Sequence, residues 1–125
     1  MKINPNLIKE VSGVILWENP YPSASNFNAQ NIQLKSSNYD CYEIMYYASM
    51  ASEKLMSSGR IPKGCGTILQ FIYNRSGATV TASRWTNYIS ATSLSFDDSY
   101  DSSNSGSNNA RCVPLYVIGY NTGNF

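Results

Sequence analysis

This 125-residue chain has no His, which leaves eight carboxylates and the Lys residues for catalysis and two Trp and ten Tyr for binding. Without His, the commonest general base, the commonest metal ligand and every Ser-His or Cys-His nucleophile are missing. The carboxylates are Glu10, Glu18, Asp40, Glu43, Glu53, Asp97, Asp98 and Asp101. Glycoside hydrolysis needs two acids on facing elements, roughly 5–9.5 Å apart, and spacing singles out no such pair. The one concentrated acidic run is Asp97-Asp98-Ser99-Tyr100-Asp101. Asp101-Ser102-Ser103-Asn104-Ser105-Gly106 has the D-x-S-x-S-G opening of a calcium loop, but Cys112 stands at the twelfth position, where a bidentate Glu should close it. Calcium at Asp97–Gly106 is therefore a weak reading, and a solvated loop the stronger one. No cofactor and no other metal site is expected.

Aromatic rings are the second resource. A flat ring packs against the C–H face of a pyranose while Asn, Asp and Ser bond its hydroxyls. The same rings suit protein contacts or a sandwich core. Trp17, beside an apolar run, reads as core, and Trp85, between Arg84 and Thr86, as core or stacking ring. Tyr100 lies in the polar run and is expected to be exposed. The candidate ligand-binding set is Trp85, Asp98, Tyr100, Asp101 and Asn104, with no catalytic residue. Lys63 reads as a solvated turn residue and Arg84 as a member of a structural pair.

Charged residues make up only 14%, the net charge is +1, and polarity comes mainly from 19 Ser and 14 Asn. With no basic run, nucleic acid and anionic membrane surfaces are poor partners. No apolar run is long enough for membrane insertion. Cys41, Cys65 and Cys112 are an odd number without a C-x-x-C pair, which reads as reduced, mostly buried thiols rather than a disulfide scaffold.

Residues 1–12 read as a lead-in and 13–125 as one domain. Short apolar or alternating runs recur at 13–17, 27–34, 39–47, 67–73, 78–84, 85–96 and 113–119. Asn74-Arg75-Ser76-Gly77 marks a hairpin turn, Ile89, Leu94 and Phe96 are candidate core positions, and Pro114 suggests a strand start or an edge. Ile44, Tyr47, Ala48, Ala51 and Leu55 also fit a helix face, so after a strand to about Tyr47 a loop or one short helical turn is expected near 48–57. Asp97 to Asn109 reads as an exposed loop. About seven to eight short strands with regular turn signals predict an all-β, antiparallel, jelly-roll-like β-sandwich.

Leu16-Trp17-Glu18-Asn19-Pro20-Tyr21-Pro22, then Phe27, Ala29, Gln30, Ile32 and Leu34, resembles a pattern in phage tail proteins of Gram-positive hosts. Tyr39-Asp40, Ile61-Pro62-Lys63-Gly64, Arg84, Leu94-Ser95-Phe96 and the ending Asn108-Asn109 to Gly119 extend the likeness over residues 13 to 120. The resemblance implies a C-terminal, host-facing tip domain of a tail fibre or baseplate protein, from a phage or prophage. Such tips are β-rich and commonly homotrimeric. They bind host cell-surface polysaccharide and sit in the virion beside other tail or baseplate proteins. The pattern is one of scaffold positions and carries no active site over. A purely structural fibre cap and a glycan-degrading enzyme are the alternatives.

Overall fold

The computed structural model describes residues 13–22, 26–49, 54–102 and 106–121. The lead-in 1–12 and the tip of the turn expected near 48–57 lie outside the described residues. The strands are β1 (Val14–Glu18), β2 (Gln30–Gln33), β3 (Cys41–Ser49), β4 (Leu55–Pro62), β5 (Thr67–Arg75), β6 (Ala78–Ser90), β7 (Ser93–Asp101) and β8 (Arg111–Tyr120). They form two antiparallel sheets, ordered β1-β8-β3-β4 and β2-β7-β6-β5. The expected antiparallel β-sandwich is what the chain forms. Nested pairing of β1 with β8 and β2 with β7 is its jelly-roll-like part. The β3–β4 pair and the β5–β6–β7 meander stay within single sheets.

Period-two burial builds the core. Leu16, Tyr42, Ile44, Tyr46, Val113 and Val117 from one sheet meet Ile32, Leu69, Ala82, Leu94 and Phe96 from the other. Trp17 is half-buried and meets Phe27 edge-on at 6.1 Å, and Phe27 meets Phe96 the same way at 5.6 Å. Three tyrosines from the first sheet cross the core and donate to backbone carbonyls on the other side. Tyr46 Oη reaches Gln70 O at 2.7 Å, Tyr39 Oη reaches Ala91 O at 2.9 Å, and Tyr42 Oη bonds Cys65 O. Each keeps its ring in the core while its hydroxyl finds a partner, as a buried tyrosine must.

The turn at Ser76-Gly77 is a two-residue hairpin loop with φ of 53° and 85°. Both values lie in the left-handed region such a loop requires, which Gly77 enters without a Cβ penalty. It pairs Arg75 with Ala78 and Ile68 with Trp85.

Several expectations need correction. Leu55–Pro62 is a strand, so the described part of 48–57 contains no helical turn; β-pairing of Tyr46 and Tyr47 with Met56 and Leu55 wins over the weak helical spacing. Strand β7 runs through Asp101, so the first part of the expected 97–109 loop is sheet. Ile89 is 57% exposed, because β6 alternates Thr86 in, Asn87 out, Tyr88 in. Pro114 lies inside a central strand. It is tolerated there because pairing with β1 stops at Tyr116 and a bulge interrupts the ladder to β3 at Met45/Tyr46.

Cys41 and Cys112 are buried free thiols, while Cys65 is exposed. Burial pushes the Cys112 thiol up to about 12. Native protein should therefore release one equivalent of chromophore quickly with Ellman's reagent, and three after denaturation. Rapid reaction of all three in the native state would contradict this packing.

Candidate functional site

The outer face of the second sheet is set by β6. Its inward side chains are Val80, Ala82, Arg84 and Thr86, which leaves Trp85, Asn87 and Ile89 facing out. Opposite Trp85, β7 carries one residue too many: Arg84 pairs with Ser99 and Thr86 with Phe96, so Asp97 and Asp98 together face a single residue. This bulge advances the alternation by one, turning Ser99 and Asp101 inward and Tyr100 outward. Trp85 is 54% exposed and Tyr100 53%. Tyr100 pairs with Ser83, two residues from Trp85 on β6, which places the two rings on the same outer face. Around them stand Ile68 opposite Trp85, Gln70 opposite Ser83, and Asn87 opposite Ser95. Asn87 Nδ2 donates to Asp97 Oδ1 at 3.2 Å. Two exposed rings with an amide and hydroxyl fringe on an outer sheet face can stack a sugar ring and bond its hydroxyls.

The other candidate residues do not join them. Asp98 accepts from Asn109 Nδ2 at 2.9 Å and from the Ala29 amide at 3.0 Å, and these bonds hold its carboxyl below the usual range. It ties the approach to β2 to the approach to β8. Asp101 is buried on the inner side, where Tyr73 Oη donates to it at 2.5 Å and Arg111 Nε at 3.3 Å. Asn104 lies outside the described residues. Asp97, Asp98 and Asp101 thus turn to separate partners, and no group of three potential ligands converges on one point among the described residues.

Arg84 is not half of an ion pair. Its side chain is fully buried and donates to five backbone carbonyls: Asp97 at 2.7 Å, Phe27 at 2.8 Å, Cys112 at 2.9 Å, Arg111 at 3.1 Å and Asn109 at 3.4 Å. The guanidinium also lies 5.3 Å from the centre of the Phe27 ring. Cys112 has φ of 49°. That left-handed kink lets the carbonyls of Arg111 and Cys112, which would alternate in a regular strand, both meet the guanidinium. Burial pulls the guanidinium down to about 10, so it stays charged at neutral pH. Arg84 thereby fixes the bulge that exposes Tyr100 from beneath.

A concavity of about 480 Å3 opens between the edge strands β4 and β5. Leu55, Met56, Phe71 and Ile72 line it, with Tyr73, Lys54 and Arg111 as polar neighbours. Sequence reading missed this cleft, since its walls come from strands in different sheets. Comparisons with family models, with curated proteins and with solved structures find no match for this chain.

Proposed function

We propose that this chain is a non-enzymatic, host-surface-binding domain of a phage or prophage tail, recognising surface polysaccharide and acting as a trimer. The observation that carries the binding reading is the pair of half-exposed rings, Trp85 and Tyr100, on one outer sheet face among Gln70, Ser83, Asn87 and Ser95. The tail-tip assignment rests on the resemblance from Leu16-Trp17 to Val117-Ile118-Gly119. Low charge suits a face that meets glycans through hydrogen bonds, and three-fold presentation would multiply a weak single-site affinity. Other tail or baseplate proteins would be its structural partners in the virion.

A second reading, a structural cap without ligand, is favoured by Leu55, Ile68 and Ile72, which are 55%, 36% and 69% exposed along the unpaired edges β4 and β5. Exposed apolar edge strands invite packing against further copies.

The test is retention of the purified protein on washed Gram-positive cell walls, with its mass measured by light scattering. The expected result is a mass three times that of the chain, retention that soluble wall polysaccharide competes away, and no release of reducing ends. A stable trimer retained by no wall would replace this reading with the cap. Reducing-end release that disappears when one carboxylate becomes its amide would replace it with a hydrolase.

A further inference from the structure

The lining of the cleft between β4 and β5 includes neither Trp85 nor Tyr100. The cleft volume of about 480 Å3 falls within the roughly 300–1,000 Å3 of small-molecule sites. The walls are aliphatic and aromatic: Met56 from β4 and Phe71 from β5 pack against the core, and the exposed Leu55 and Ile72 stand at the rim. The Phe71 and Tyr73 rings stack at 5.3 Å and form one continuous apolar surface. Among the described residues, the charged side chains of the lining are the cations Lys54 and Arg111, and Arg111 is paired with Asp101 behind the wall. Lys54 stands at the exposed start of β4. Arg111 uses Nε on buried Asp101, places one Nη 3.4 Å from Tyr73 Oη, and lies over the Tyr73 ring at 5.2 Å. This anchoring fixes the guanidinium at the cleft wall rather than letting it swing into water. A slot that is apolar along its length and cationic at its polar positions complements a molecule with an apolar tail and one anionic head.

We infer that the cleft binds a single-chain anionic amphiphile, an n-alkyl carboxylate. The tail lies against Leu55, Met56, Phe71 and Ile72, and the carboxylate is met by Lys54 and the free edge of Arg111. The site does not depend on glycan recognition at Trp85 and Tyr100, so either can fail without the other.

Titration calorimetry of the full chain, in whatever assembly it forms, with hexanoate, octanoate and decanoate below their micellar concentrations tests this. One ligand should bind per chain, with affinity rising roughly fourfold per added CH2 until the slot is full. Lys54 and Leu55 are both exposed, so Lys54→Glu and Leu55→Ser should fold normally by circular dichroism. The first should weaken binding about tenfold for every chain length, and the second should flatten the dependence on length. The n-alkylamine of equal length should bind more weakly than the carboxylate. Absence of binding, several molecules bound per chain, or an affinity that neither substitution changes would overturn the assignment.

Discussion

Replacing Arg84 with methionine is expected to remove about 3–5 kcal/mol of unfolding free energy, because several buried carbonyl acceptors lose their donor together. Methionine fills much of the space but gives the carbonyls of Phe27, Asp97, Asn109, Arg111 and Cys112 no donor. Each buried acceptor left short costs about 1–3 kcal/mol before relaxation. At roughly 3–5 °C per kcal/mol for a chain of this size, Tm should fall by about 10–20 °C. Arg84→Lys should fall between the two, because an ammonium keeps the charge but lacks the planar fork that reaches five oxygens. A Tm for Arg84→Met within about 3 °C of the parent would mean that water replaces the guanidinium without loss, and the clamp would not hold the fold together.

Trp85→Ala and Tyr100→Ala should each cut retention on cell walls with Tm unchanged. A central aromatic contact is worth about 2 kcal/mol or more, roughly a thirtyfold loss per site. Trimeric attachment multiplies that loss, so the double substitution should abolish retention. Ile89→Ser supplies the control: it is exposed on the same strand, two residues beyond Asn87, and should change neither quantity. A drop in Tm parallel to the drop in retention would make the rings part of the scaffold. Full retention in the double variant would remove the ring-bearing face from the binding reading.

Much of the sandwich is legible along the chain because its signals are local. Leu94 and Phe96 alternate with serines, and Asn74-Arg75-Ser76-Gly77 between two apolar runs is a hairpin signal. That turn also contains a register. Counting back equally from Ser76 and forward from Gly77 sets Ile68 opposite Trp85, as the structure has it. What stays hidden depends on pairing between distant strands. The extra residue at Asp97-Asp98 reverses which of Tyr100 and Asp101 faces water, and a carboxylate-rich run reads as loop until Arg111 and Tyr73 are known to cover Asp101. Arg84 looks like a surface strand residue, since its five acceptors are backbone atoms with no signature of their own. Of the candidate ligand residues, Trp85 and Tyr100 share the outer face, whereas Asp98 and Asp101 serve the scaffold.

The tyrosine hydroxyls that span the core also bear on how the domain carries load. Tyr39, Tyr42 and Tyr46 lie within eight residues on or beside one strand, and each is fastened to a different stretch of chain: the turn at Ala91 and the strand at Gln70 of the opposite sheet, and the loop at Cys65 that joins the two sheets. Sliding one sheet along the other would strain all three fastenings together rather than one after another. A pull along β3 is thus resisted in parallel, as by rivets through two plates, and the apolar layer between the sheets is spared the shear.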